Sequence, residues 1–479
     1  MIYKHGIYGE IEASNEEIAK SKSIPVYIGT APMYRLPKEN RDINKPILIK
    51  NYQDAVRKTG YRTGDDFEKF SLSAAIYAHF ENSIQPIGPI VVINVLNPEK
   101  GANKSNQEVS IINGKGILNK NVIIDSVEIT DKILNEDYEL EYTDEGNLLI
   151  LAIKDDFGET VNVKFSESAY EITDTDIIGN YIESQGISTG IKAIDNVYEE
   201  LNVVPTIVTA PGWNENPKVR QALLAATKKI SDKWEAVSFI DIDPKIDTIE
   251  NAIKWKKDNG YNSNEEKLFW PKGIMGNREI YLSILGIVTK MQTDAKYNNI
   301  PYQTLSNKAV DISSLTVKGH KIKFSQNRAN DLNASGITTA ILSGGKYVLW
   351  GPHMANYEYG VTIKPEEIFD VNIMMQKYLL NDFQLRNPGL IDNAMSRHDV
   401  DAIVNNEQMI LDSYTTSGVL LYGEIKFKPA NNSKSDIING DFTFNTLVTN
   451  TPIGKSITQK LQYSSIGIQK AFLSEGGEN

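Results

Sequence analysis

The chain of 479 residues contains no cysteine, which removes disulfides, thiolate nucleophiles and cysteine-based zinc sites together. That absence fits a reducing cytoplasm. Nowhere do about 18 uncharged apolar residues follow one another, and the first twenty carry Lys4, Glu10, Glu12, Glu16 and Glu17 instead of an apolar run. Neither a signal peptide nor membrane insertion is expected. Positive charge is also in deficit, with 50 Lys and Arg against 62 Asp and Glu, a formal charge of −12. Phosphate backbones require a basic face, so nucleic acid is not an expected partner. Histidine is rare: His5, His79, His320, His353 and His398 never approach metal-ligand spacing. No metal or cofactor is expected.

What is present is a 41% hydrophobic composition, enough to bury at least one large core, and a length that suggests about three domains. The acidity is local. Residues 103–176 hold 17 Asp and Glu against six Lys, and 6 − 17 = −11 accounts for nearly all of the excess.

Along the chain, Tyr3, His5, Ile7, Gly9 and Ile11 share one face of an extended segment, with Tyr8 in the same stretch. Residues 24–28 and 90–96 read as buried strands, and Phe67, Phe70, Ala74 and Tyr77 recur at helical spacing. From Ile191 helix and strand alternate: a helix over 191–201, a strand over 203–209, a helix from Pro217, a strand over 236–242. Such alternation predicts an α/β fold with a doubly wound parallel sheet. Residues 99–185 differ, with short alternating segments at 122–124 and 147–154 and turn signals at Asn113-Gly114 and Asp144-Glu145-Gly146. They predict an acidic, β-rich insertion. After Trp350 come two helical stretches, 366–385 and 393–414, and strands over 419–427, 441–448 and 456–468, with Asn439-Gly440 as a hairpin turn. In the last strand Ile457, Gln459, Leu461 and Tyr463 alternate with Thr458, Lys460 and Gln462.

Gly186-Ile187-Ser188-Thr189-Gly190 matches the G-x-S-x-G elbow of serine hydrolases. The second functional reading is therefore an α/β hydrolase using Ser188, with His320 or His353 brought close by folding. Against it, residues 181–185 are too polar for a buried central strand, and Ser188 or Thr189 serves as an ordinary N-cap. Asp241-Ile242-Asp243-Pro244 offers two carboxylates at a strand end, read here as a strand-terminating turn before a Mg²⁺ site. Gly454-Lys455-Ser456 lacks the upstream glycine of a phosphate loop. Met374, Met375 and Met395 are read as core filling. The two terminal segments stand apart, because strands outside a compact core leave backbone groups unpaired.

In order, these features resemble the tail sheath family of contractile phages, R-type bacteriocins and related injection devices. The resemblance rests on residues 24–29 after an N-terminal arm, Thr189-Gly190-Ile191 leading a helix, Ala210-Pro211-Gly212 after a strand, and residues 239–244 after the next. Its sharpest part is Leu332-Asn333-Ala334-Ser335-Gly336-Ile337, then Gly345, then Val348-Leu349-Trp350-Gly351. His353 and Met374-Met375 stand where the family often carries arginines, so arginine contacts there are not carried over. No Gly-Thr-Ser-Met-Ala nucleophile segment is present, and the resemblance implies a non-enzyme.

The resemblance implies a subtilisin-like, doubly wound core (24–98 plus 186–350), an N-terminal arm and linker (1–23) and an inserted outer domain (99–185). It further implies a C-terminal α+β domain facing an inner tube (351–455) and a C-terminal strand arm (456–479). The implied partners are further copies of the chain in stacked hexameric rings, the inner tube protein, and baseplate and tail terminator proteins. The location would be a virion or phage-tail-like particle, assembled in the bacterial host cytoplasm. Tyr3, His5, Ile7, Tyr8 and Ile11 would form the N-terminal arm, and Ile457, Gln459, Leu461, Tyr463, Ile466 and Ile468 the C-terminal arm. Arg386 and Arg397 are candidates to face the tube.

Overall fold

The computed structural model describes residues 19–20, 23–118 and 121–473. The N-terminal arm residues Tyr3, His5, Ile7, Tyr8 and Ile11 lie outside the described residues.

Runs of β-branched and apolar residues form the centre of one eight-stranded sheet. Its order is Lys346–Trp350, Ile337–Ser343, Glu266–Phe269, Val237–Asp241, Pro205–Thr209, Ile24–Gly29, Ile90–Asn94 and Pro46–Ile49. The six inner strands are parallel and the two edge strands antiparallel to their neighbours. Strands such as 90–94 and 237–241 are buried at every position, because helices cover both faces. On one face pack Tyr52–Thr59, Ser71–Phe80 and Leu282–Lys296; on the other Pro217–Thr227 and the turn-and-helix segment 190–201. The 217–227 helix starts where the sequence expects it. Pro217 sits in the first turn, where its missing N–H is no loss, and the Asn216 side chain accepts from Lys218 N at 3.0 Å. The 282–296 helix comes so close to the sheet that a Cβ on Gly286 would lie 2.5 Å from the Phe269 ring.

Three expectations shift. The helix expected from Phe67 begins at Ser71, because Asp66 accepts from Glu68 N and Lys69 N and turns the chain first. Residues 190–196 form a 3₁₀ helix before the α-helix Val197–Leu201. Ile124–Ser126 is a 3₁₀ turn, and Val122 makes only a single bridge to Glu167.

Residues 103–167 form two antiparallel three-stranded sheets around their own core of Val109, Leu118, Tyr138, Leu148, Ile150, Val163 and Phe165. Asn113 and Gly114 turn the first hairpin with positive φ at both positions, as a two-residue turn of this chemistry requires. The unit is tied to the sheet side by Tyr34, whose ring meets Phe70 and Tyr142, and by Arg41, which reaches Asp125 at 2.5 Å.

After Trp350 the helix Asp370–Arg386 runs along the core, burying Ile373 and Met374 in the main cluster and Met375 in a second one. Met395 is only half-buried and is not core. The helix Arg397–Thr416 then packs on a two-stranded antiparallel sheet, Leu420–Lys426 with Asn445–Asn450. Asn439-Gly440 is not the hairpin turn expected. Ser433 and Asp436 form a capping box that starts the helix Lys434–Asn439, and Gly440 ends it in the left-handed region. The strand expected over 456–468 is also not formed within the single chain: 451–464 has no ladder, and Ile466–Ile468 is a helical turn.

Candidate functional site

The hydrolase elements do not assemble. Ser188 is buried in a two-residue strand paired with Tyr181–Ile182, and the Thr189 hydroxyl bonds the backbone and side chain of Asn180. Among the described residues no histidine hydrogen-bonds Ser188. His353 is packed between Tyr357 (centroids 3.5 Å apart, 2° between planes) and Phe369, with Nδ1 on the Ile368 carbonyl at 2.6 Å. Burial lowers its pKa to about 4. His320 is exposed on a small hairpin.

At the strand end, Asp243 accepts from Lys245 N at 2.9 Å in an ordinary turn. Asp241 accepts from the backbone N–H of Ser283 at 2.9 Å and from its hydroxyl. Among the described residues no group of three or more His, Asp and Glu could hold a metal ion. Burial raises the Asp241 carboxyl to about 7 and that of nearby Glu215 to about 7. A raised carboxyl binds its proton more tightly folded than unfolded, so its stabilising effect is present below about pH 4 and is lost as pH rises through about 7. We therefore expect the Tm difference between Asp241→Asn and the natural chain to grow in favour of the variant from pH 5 to pH 8. The comparison at each pH cancels His79 and His353, whose lowered pKa values act in the opposite direction. A flat difference would remove Asp241 as the cause.

The other distinctive region is the C-terminal sheet. Its inner face rests on the 397–416 helix through Leu411, Leu420 and Ile425, with Met375, Phe444 and Val448 around them. Gly423 permits this approach, since a Cβ there would stand 2.9 Å from Leu411 Cβ. Leu421, Tyr422 and Leu447 are exposed. Beyond the sheet, Lys455 donates to the Tyr357 hydroxyl at 3.2 Å and lies over its ring, which directs the tail across the core. From there Ile457, Leu461 and Tyr463 are 92%, 87% and 86% exposed, and Gln459 is exposed with them. Ile466 and Ile468 lie in the helical turn, also exposed. An apolar, unpaired segment of this kind is unusual on a surface that has nothing to cover it.

Arg386 is engaged inside the chain: it pairs with Asp382, and its guanidinium reaches both oxygens of Glu407 at 3.3 and 2.5 Å, linking the two long helices. Arg397 is exposed and pairs with Asp401 one turn on.

A sheet of six parallel strands between helical layers, a separate acidic β-unit and a small C-terminal sheet trailed by an exposed apolar tail together make the fold of contractile injection system sheath proteins. In particular, the chain is similar to a chain of the anti-feeding prophage baseplate, 6-fold symmetrised: 11% identity, TM-score 0.59, covering 97% of this chain and 100% of that one. It is similar to the anti-feeding prophage helical sheath in the contracted state, at 12% identity, TM-score 0.56, covering 96% and 99%. The sheath complex of the extracellular contractile injection system PVC, also contracted, matches at 12% identity, TM-score 0.57, covering 98% and 99%. No family model and no curated protein matches the sequence.

Proposed function

We propose that this chain is the structural subunit of a contractile sheath, polymerising around an inner tube and shortening to drive that tube through a cell envelope. The observation that carries the reading is the end-to-end likeness to sheath chains, including two in contracted assemblies, with nearly every residue of both partners aligned. Fold alone does not carry function. The exposed 457–463 tail and the small C-terminal sheet supply the chemistry of assembly.

In this reading the core winds in the doubly wound, subtilisin-like order, residues 99–185 face outward, and residues 351–455 face the tube. The subunits form hexameric rings, with baseplate and terminator proteins at the ends, in a phage-tail-like particle built in the host cytoplasm. The N-terminal segment 3–11 and the C-terminal segment 457–468 each add a strand to a neighbour's C-terminal sheet. Such junctions persist while contacts between cores exchange, so the lattice has two packings of the same units and the extended one stores the energy. Arg397 is retained as a candidate tube contact; Arg386, held by Asp382 and Glu407, acts through the helix pair it joins.

Negative-stain electron microscopy of the purified chain tests the reading: striated hollow tubes or stacked rings are expected. Ser188→Ala is expected to form the same tubes and to melt within about 1 °C of the natural chain, as for a substitution that breaks no hydrogen bond. A chain that stays monomeric under all salt and concentration conditions would refute the proposal.

A further inference from the structure

The two edges of the C-terminal sheet are not equivalent. The Gln408 side chain, reaching from the 397–416 helix, donates from Nε2 to the Gly423 carbonyl at 3.0 Å and accepts at Oε1 from Ile425 N at 3.1 Å. Its second amide proton goes to Asp412 at 2.8 Å, which fixes the orientation of the group. Bonding the carbonyl of one residue and the N–H two residues later is what one residue of a parallel neighbouring strand does. Gln408 thus occupies the outer edge of the 420–426 strand, and Leu411 against Gly423 holds the helix in place to keep it there.

In an antiparallel pair a residue's N–H and C=O point to the same side and alternate along the strand. Since Gly423 and Ile425 turn toward Gln408, Tyr422, Glu424 and Lys426 turn toward their partners Thr449, Leu447 and Asn445. On the opposite strand that leaves the backbone groups of Thr446 and Val448 pointing outward. The sheet has two strands, and among the described residues no backbone bond is made by Thr446 or Val448 outside the ladder. This edge is open.

Resting on the proposed assembly by strand addition, we infer that a strand enters only on the 445–450 side, that Gln408 closes the other side, and that the occupant is residues 457–463 of a second copy. The segment alternates Ile457, Gln459, Leu461, Tyr463 with Thr458, Lys460, Gln462, and among the described residues its backbone makes no hydrogen bond. Its own chain's edge is disfavoured as acceptor because the Lys455 contact with Tyr357 carries the tail away across the core.

The absence of cysteine allows a direct test. Full chains carrying Thr446→Cys or Leu447→Cys are mixed with full chains carrying a single cysteine at 459, 460, 461 or 462, allowed to assemble and oxidised. A strand added on this side lies about 4.8 Å from the 445–450 strand and about twice that from the 420–426 strand, beyond the reach of a disulfide. Cross-linked dimers are expected from Thr446 or Leu447 and none from Leu421→Cys or Tyr422→Cys. Adding Gln408→Ala is expected to make cross-links at 421 or 422 appear. Cross-links at 421 or 422 with Gln408 intact would overturn the inference and leave assembly by strand addition standing. Polymers without a cross-link at either edge would remove the tail as occupant. A chain that does not sediment as a polymer before oxidation would overturn the underlying reading and the inference with it.

Discussion

Removing residues 456–479 is expected to yield a folded monomer that no longer polymerises. The segment 457–463 makes no hydrogen bond in the described chain, and its large side chains are solvated, so folding of the rest loses almost nothing with it. Association loses a great deal. Five or six paired residues, at about 1 kcal/mol net for each backbone bond and about 1.5–3 kcal/mol for each apolar side chain buried, amount to several kcal/mol per junction. With about 1.4 kcal/mol for each tenfold in affinity, the lattice weakens by orders of magnitude. Sedimentation should move from a pelleting polymer to a monomer with an unchanged melting curve. Tubes of normal appearance from the shortened chain would refute the role of the tail. An unfolded product would show that it serves the fold.

The same segment marks where sequence reasoning reaches its limit. Period-two alternation identified 457–463 as strand-like, but a strand is defined by the edge it pairs with, and that edge is not in the same chain. The central sheet was legible because runs such as Ile90-Val91-Val92-Ile93 and Val237-Ser238-Phe239-Ile240 encode burial on both faces locally. Asn439-Gly440 was misread because a left-handed residue serves a hairpin and a helix end equally. Ser433-x-x-Asp436, three residues apart as a capping box requires, was the signal that would have decided it. Gln408 and Arg386 carried no comparable signal. Their partners, Gly423 with Ile425 and Glu407, are 15 to 21 residues away and are joined only by the packing of helix on helix and helix on sheet.

Least legible was the charge at the centre of the molecule. Glu266 and Lys267 read as surface residues, yet both are fully buried in a central strand. Glu266 accepts two bonds from Arg220, at 2.7 and 2.6 Å. Lys267 Nζ donates to the carbonyls of Gly351 and His353 and meets the Asp370 carboxylate, each at 2.9 Å. Asp370 also accepts from the Thr304 hydroxyl at 3.0 Å and stands at the start of the 370–386 helix. This ammonium is therefore the polar clamp between the sheet and everything that follows Trp350. Burial lowers the Lys267 pKa and Asp370 opposes the shift, so the pair is stable only while both partners are present.

Asp370→Ala leaves a buried ammonium without its counter-charge, which is expected to cost about 3–5 kcal/mol. Lys267→Met strands the carboxylate and should destabilise by a similar amount. Lys267→Met combined with Asp370→Leu removes both charges, and its loss should be well below the sum of the two single variants, because most of each single loss is the penalty for the orphaned partner. Denaturant unfolding of the four proteins gives the cycle. Limited proteolysis locates the effect: in Asp370→Ala the linker 351–369 should be cut before the core, since the clamp no longer holds the C-terminal helices to the sheet. Additive single losses, or cleavage that begins elsewhere, would show that the pair does not join the two parts. A sheath subunit transmits force between its core and the C-terminal sheet that links it to its neighbours. On the proposed function, Asp370→Ala should therefore also shed C-terminal fragments during contraction, while variants of the exposed Arg397–Asp401 pair contract intact.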